Sequence, residues 1–398
     1  MDIINHYLKD WGTDTFWQRP LNDLDIVALN ELVYLPFNLY FQQKDRWTLI
    51  DLCHAFNLNE SVHIVDNPFL TTPDRLKLFY TLANSPRFSN IICQNFTEVI
   101  DPDREMQFCA MTFQLKEDLS LISYRGTDDT LIGWKEDLKM AYQETVPAQL
   151  AARDYFENFA QSHSHGKYIL VGHSKGGNLA LFAAVFSKQY YQDRIQSIYC
   201  LDSPGLQAII LKSQAYKRVR RKIKRIVPED SLVGYMLFHD CHPTIIKSHQ
   251  RGFSQHDCKL WRVQDQAFIP CPKNSRLSQI MDQALKIWVD QVPNEDLDFF
   301  VEHLFQLLDQ MKYTTLNDLE KEKSIRDFLH KLRGVFGKSD PETRRKLEGI
   351  TGQLLKAWHQ SSHQWNLAAY QTWKSNLAWD LSKSNLEEFF AQFNFLQK

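Results

Sequence analysis

The chain has 398 residues, too many for one small core and suited to one large domain with an appendage, or to two domains. Lys and Arg number 46 against 48 Asp and Glu, a formal net charge of −2, so no chain-wide attraction to nucleic acid is built in. With 43% hydrophobic and 24% charged residues and only 14 Gly and 14 Pro, the composition excludes disordered, collagen-like and low-complexity classes. The first residues show no basic stretch followed by an apolar run, so no secretory signal is expected. The longest apolar run, 179–186, is far shorter than a membrane span. Seven cysteines, scattered and never spaced C-x-x-C, read as reduced thiols, and the expected compartment is the cytoplasm.

Residues 1–90 form an expected N-terminal helical segment packed on the core. Leu24, Val27, Ala28 and Leu32 recur at helical spacing behind Asn22 or Asp23 as N-cap, and a second helix starts behind Thr72-Pro73-Asp74. Residues 91–274 alternate strand-like and helix-like segments. Residues 107–115 and 119–124 make a hairpin around Lys116-Glu117-Asp118, and 148–159 follow as a helix. A short apolar strand at 168–171 precedes a helix at 178–191; then come a strand at 195–201, a helix at 214–222 and a strand at 223–227. Such alternation predicts an α/β fold with a mostly parallel sheet covered on both faces. Residues 275–398 read as a C-terminal helical extension, with a linker at Gly337-Lys338-Ser339-Asp340-Pro341.

The strongest chemical signal is Gly172-His173-Ser174-Lys175-Gly176-Gly177. It contains G-x-S-x-G directly after an apolar strand and directly before a helix. A serine on such a turn is held in a strained conformation above the sheet, and glycines flank it because a Cβ there would strike the neighbouring chain. Ser174 is therefore the candidate nucleophile, with the helix N-terminus behind it favouring a developing oxyanion. A nucleophile of this kind takes an acid and then a histidine downstream. His256, in the polar loop Gln255-His256-Asp257-Cys258, is the candidate base, ahead of His239, His242 and His249. Asp230 and Asp202 each follow a strand at the carboxyl edge of the sheet, and both are candidate acids, with Asp230 preferred. The oxyanion donors expected are the backbone N–H of Lys175 and the N–H and hydroxyl of Thr127, in the loop Tyr124-Arg125-Gly126-Thr127-Asp128-Asp129.

That loop, Gly133-Trp134-Lys135-Glu136-Asp137, the serine motif with Asn178, Pro204-Gly205, Val227-Pro228, Ser231-Leu232-Val233-Gly234 and Gln255-His256-Asp257 resemble, in this order, the bacterial Mbeg1-like proteins. These are α/β-hydrolase-like and akin to class 3 lipases. The resemblance spans roughly residues 20–310. It implies the α/β-hydrolase fold, the nucleophile role for Ser174, the base role for His256 and the oxyanion role for Thr127. In the family pattern an aspartate like Asp202 is usual, whereas the position of Asp230 is often not acidic.

The expectation is a serine hydrolase cleaving a carboxylic ester of a small molecule or lipid, without cofactor or metal. The alternative is a hydrolase-fold binding or regulatory protein whose triad is idle. The basic run Lys217-Arg218-Val219-Arg220-Arg221-Lys222-Ile223-Lys224-Arg225 reads as a solvated face rather than a nucleic-acid site. The spacings of His239, Cys241, His242, His249, His256 and Cys258 match no common zinc set. Trp358, Trp365, Trp373 and Trp379 read as packing of the helical extension, with peripheral membrane contact as the other use of such residues.

Overall fold

Alternating side chains on the strands divide the core into two faces. Cys109, Met111, Phe113, Leu121, Val171, Tyr199 and Leu201 join one buried cluster, while Phe108, Ala110, Ile122, Tyr124, Leu170, Ile198 and Cys200 join another. The computed structural model describes residues 1–66, 69–128, 130–313, 331, 334–337 and 339–361. Its main sheet has eight strands that lie side by side in chain order: β1 (Arg46–Thr48), β2 (Ile92–Asp101), β3 (Met106–Lys116), β4 (Leu119–Tyr124), β5 (Lys167–His173), β6 (Ile195–Leu201), β7 (Ile223–Pro228) and β8 (Thr244–Ile246). Pairing is antiparallel from β1 to β4 and parallel from β4 to β8.

Parallel neighbours need crossovers, and helices supply them. The first face is covered by N-terminal helices, including α1 (Asp23–Leu32) and α2 (Pro73–Ala83), through Leu24, Val27, Leu29, Leu78 and Phe79. After β4 come α3 (Leu131–Lys139) and α4 (Pro147–Ser162), and after β5 comes α5 (Lys175–Phe186); Phe156, Leu179 and Ala183 pack on the second face. Beyond the sheet, α6 (Arg276–Gln291), α7 (Asn294–Gln310) and α8 (Pro341–Ser361) enclose a third cluster of Tyr142, Val292, Leu297, Val301 and Ile350.

Two expected elements change. The helix at 178–191 starts earlier, at Lys175, and breaks at Ser187, whose extended backbone (φ −73°, ψ 160°) separates it from a short helix Gln189–Arg194. The helix at 214–222 ends at Val219 and tightens to a 3₁₀ turn over Arg220–Lys222. The long strand β2 lacks a sequence signal: its polar residues and a register shift between Gln94 and Thr97, with Asn95 at φ 54°, blur the alternation.

Register aligns the strand ends that carry the candidate residues. Tyr124 is paired with Gly172, His173 with Leu201, and Leu201 with Ile226. The loops behind β4, β5, β6 and β7 therefore open on one edge, bringing Thr127, Ser174, Asp202 and Asp230 to the same side of the molecule.

The N-terminal cover is pinned by a buried ion pair. The Asp25 carboxylate closes the capping box of α1 with Asn22, accepts the Tyr7 hydroxyl at 2.7 Å, and pairs with Arg87 at 2.5 Å, both side chains of the pair being wholly buried. Removing one partner of such a pair strands the other charge. Arg87→Leu should therefore lower the unfolding free energy by about 3–5 kcal/mol in urea denaturation. A loss below about 1 kcal/mol would be that of a solvated pair.

Candidate active site

Strand β5 ends at His173 and α5 begins at Lys175, so Ser174 alone makes the turn, at φ 57° and ψ −133°. A residue with a Cβ reaches that region only when its surroundings over-determine it, at about 1–3 kcal/mol of strain. A methyl on Gly172 would lie 2.0 Å from the Gly176 carbonyl carbon, and one on Gly176 would lie 2.2 Å from the Tyr124 carbonyl oxygen. Only glycine lets strand, turn and helix approach so closely. The Ser174 N–H donates to the Leu201 carbonyl at 3.0 Å, and its own carbonyl accepts the Gly177 N–H at 3.0 Å.

His256 closes a 3₁₀ turn, Gly252–His256, and its Nδ1 lies 2.7 Å from Asp202 Oδ2. The sequence favours Asp230 as the partner of this imidazole; the structure gives that position to Asp202. Asp202 follows β6 with φ 38°, which turns its buried carboxylate along the sheet edge toward His256. Its other oxygen accepts the Ser231 hydroxyl and the Gly234 N–H, the latter at 3.2 Å. Asp230 instead accepts the Gly252 N–H at 2.8 Å and Gln255 Nε2 at 2.9 Å, bracing the turn that carries His256.

The loop behind β4 brings Gly126 and Thr127 beside the serine: a Cβ on Gly126 would lie 3.1 Å from Ser174 Cβ. The Thr127 hydroxyl donates to Asp137 Oδ2, so its proton is already engaged. The Lys175 N–H opens α5, where backbone donors lack intrahelical partners. Its ammonium turns inward, bonding Glu136 Oε2 at 2.5 Å and the Gln107 carbonyl at 2.9 Å, with Asp137 Oδ1 at 3.8 Å. Glu136 also accepts the Gln107 N–H at 3.1 Å and the Ala148 N–H at 2.8 Å. This buried cation and its carboxylate lock α3 and α4 under the serine turn. Lys175, Glu136 and Asp137 stand in the sequence motifs, but Gln107 and the ammonium's inward course carry no local signal.

Ser174 opens on a cavity of about 290 Å³ with an almost wholly apolar lining, including Trp134, Leu285, Trp288, Phe300 and Leu354. Its walls come from α3, from Pro204 and the segment after β7 (Val233, Met236, Leu237 and Phe238), and from the C-terminal helices α6, α7 and α8. Asp137 is the acidic residue of this lining; Oδ1 is closed to solvent and accepts no hydrogen bond. Burial pushes its carboxyl up to about 7, against the pull of the Lys175 ammonium and the Thr127 hydroxyl.

Glu31, His173 and Cys258 bring ligand-type atoms within 4.8 Å of one another. Arg75 already pairs with Glu31 at 3.3 Å, and both ring nitrogens of His173 have protein partners, at 2.7 and 3.2 Å. Burial also holds the Cys258 thiol well above its ordinary value, so the set suits a metal poorly. The basic run is divided among local partners: Arg220 pairs with Asp240 at 2.7 Å, and Lys222 bonds the Gln192 carbonyl at 2.7 Å. Lys224 bonds the Tyr199 hydroxyl at 2.8 Å, while buried Arg225 reaches the Gly234 carbonyl at 2.7 Å. Trp358 is buried on α8, whereas Trp365, Trp373 and Trp379 lie outside the described residues. No helix among the described residues is long and apolar enough to cross a membrane.

A mostly parallel sheet with helices on both faces, carrying a serine on the tight turn between a central strand and the helix behind it, is an α/β-hydrolase fold. Within that class the chain matches the Mbeg1-like family over residues 82–306, more than half its length, and it belongs to that family. Similar solved structures include a fungal lipase–inhibitor complex, at 16% identity and TM-score 0.30, covering 39% of this chain and 66% of that one. The Rhizomucor miehei lipase propeptide complex is 15% identical at TM-score 0.30, covering 39% and 57%. Lip2 lipase from Yarrowia lipolytica is 12% identical at TM-score 0.30, covering 50% and 75%. The chain thus spans less than two thirds of the length of the first two. Comparison with curated proteins gives no match.

The Asp137 carboxyl yields a signed prediction. Its folded value near 7 lies above the unfolded value of about 3.9, so the folded state holds the extra proton between the two. The stability this supplies is complete below about pH 4 and is lost as pH rises through about 7. Asp137→Asn lacks this titration and can still accept the Thr127 hydroxyl. The melting temperature of the variant should therefore gain on that of the wild type between pH 5 and pH 8. An unchanged difference across that range would mean that Asp137 is charged throughout.

Proposed function

We propose that this protein is a serine hydrolase that cleaves carboxylic esters with an apolar acyl group. One observation carries the reading: the strained Ser174 and the His256–Asp202 pair share one sheet edge, at the mouth of an apolar cavity. In this mechanism Ser174 Oγ attacks the ester carbonyl carbon and passes its proton to His256 Nε2. Asp202 accepts the Nδ1–H, fixing the tautomer that leaves Nε2 able to take a proton and stabilising the imidazolium. The Lys175 and Thr127 N–H groups hold the oxyanion, and the Thr127 hydroxyl orients its loop through Asp137. Collapse of the tetrahedral intermediate breaks the ester C–O bond, and the alcohol leaves with the proton from His256. Water, deprotonated by the same imidazole, then releases the acid. The apolar walls favour an alkyl or aryl acyl chain; lipase-like neighbours in fold agree with an ester substrate.

A labelled fluorophosphonate should tag the wild type and fail to tag Ser174→Ala, and the variant should lose p-nitrophenyl ester turnover by several orders of magnitude. An untagged wild type would favour a binding protein with an idle triad.

The two aspartates separate in rate. Asp202→Asn leaves the imidazole in the wrong tautomer, at a cost of up to about 10⁴ in kcat. Asp230→Asn only loosens the turn and should cost at least about tenfold less. The check is kcat for both variants after circular dichroism shows each folded. A dead Asp230→Asn beside an active Asp202→Asn would overturn the assignment.

A further inference from the structure

His173 precedes the serine and is buried, and both of its ring nitrogens are bonded. Nε2 lies 2.7 Å from the backbone carbonyl oxygen of His256, and Nδ1 lies 3.2 Å from the Tyr34 hydroxyl. That hydroxyl accepts the Gly126 N–H at 3.1 Å. The directions follow from chemistry. A carbonyl oxygen can only accept, so Nε2 carries the proton. In a neutral ring Nδ1 is then the acceptor, the Tyr34 O–H donates to it, and the Tyr34 oxygen is left to take the Gly126 N–H. One directed chain runs from the loop of Thr127, through Tyr34 and the residue beside the nucleophile, to the main chain of His256.

We propose that His173 is a positioning residue, whose neutral ring fixes the base His256 and the oxyanion loop relative to each other across the serine turn. The proposal rests on the hydrolase reading of Ser174. Gly126 and His256 belong to loops far apart in sequence, and each is bonded to a different end of the same relay. A Cβ on Gly126 would lie 2.6 Å from the Tyr34 oxygen and 2.6 Å from the His173 carbonyl oxygen, so the loop is seated directly on the relay.

Its surroundings keep the ring neutral. Burial holds the His173 pKa well below the ordinary value, helped by the neighbouring His256, Lys259 and Arg75. Tyr34 and Glu31 face it from α1 and the turn after it, Arg75 from α2, and His256, Cys258 and Lys259 from the base loop. The Glu31 carboxylate is matched by Arg75 at 3.3 Å and Lys259 at 3.9 Å, so it does not draw a proton onto His173. Neutrality matters because the His256 ring lies 4.4 Å away, centroid to centroid, and becomes an imidazolium in the proposed reaction. A charged His173 would oppose that proton.

The test compares three variants of the full chain, each first checked for folding. His173→Phe removes both bonds and should lower kcat about 100-fold, with KM on a short-chain p-nitrophenyl ester little changed. His173→Gln can keep a donor to the His256 carbonyl and should recover at least about a tenth of the wild-type kcat. Tyr34→Phe leaves that bond but frees Gly126 and should cost about tenfold. Imidazole ¹⁵N resonances read the ring independently of turnover: His173 should hold its proton on Nε2 from pH 5.5 to 9. If His173→Phe fails to fold, the Gln and Tyr34 variants decide. Equal losses in Phe and Gln variants, wild-type kcat in a folded Phe or Tyr34 variant, or a His173 that titrates in this range would overturn the proposal. A wild type that no fluorophosphonate tags would overturn the reading of Ser174 instead, while the ¹⁵N resonances still test the relay.

Discussion

The approach of strand β5 to helix α5 is so close that two backbones nearly touch, and the rest of the site depends on that contact. With no room for a Cβ at 172 or 176, the turn must put all its strain on Ser174. A strained residue persists only if its neighbours hold it, and here they hold it from both sides. The Leu201 carbonyl takes its N–H from the next strand, and Lys175 anchors the helix start into the Glu136 carboxylate. A buried lysine with two carboxylates nearby is a costly arrangement for stability alone. Its place under the turn ties the start of α5 to α3 through Glu136.

The same edge explains how residues from five segments of chain converge. Parallel strands in register end at one level, so each loop behind β4 to β7 begins at a similar height. Small backbone choices then select what each loop presents. The left-handed backbone at Asp202 turns one carboxylate toward His256, while Asp230, one strand further, is consumed in holding the turn of His256 itself. The two acids thus do different jobs for one imidazole, one at its ring and one at Gly252 and Gln255 of the turn that carries it.

Much of this was legible in the sequence. The serine turn is a local feature, set by glycine spacing and by flanking apolar segments, and every part of that pattern lies within a few residues. The strands β3 to β7 are short, apolar or alternating, and the expected sheet follows from them. The choice between Asp202 and Asp230 was not legible, because both follow strands and both are followed by small residues; the difference is one φ angle and the partner that loop closure supplies. Nor was β2, whose bulge at Asn95 breaks the alternation that would announce a strand. Tyr34 and Gln107 gave no sign either, since their partners lie 139 and 68 residues away.

The cavity beside Ser174 has two kinds of wall. Trp134 belongs to the strand-edge loops and their helices, which also carry the catalytic candidates, whereas Leu285, Trp288, Phe300 and Leu354 come from the helices that follow the sheet. Leu354 lies beyond residue 306, where the family match ends. Substitutions on the later helices can therefore reshape the chamber without disturbing the serine turn, the imidazole or the relay behind them. In the proposed reading, acyl preference and bond-breaking machinery are separable, so relatives that share the whole sheet edge could diverge in what they admit by exchanging a few side chains on α6 to α8.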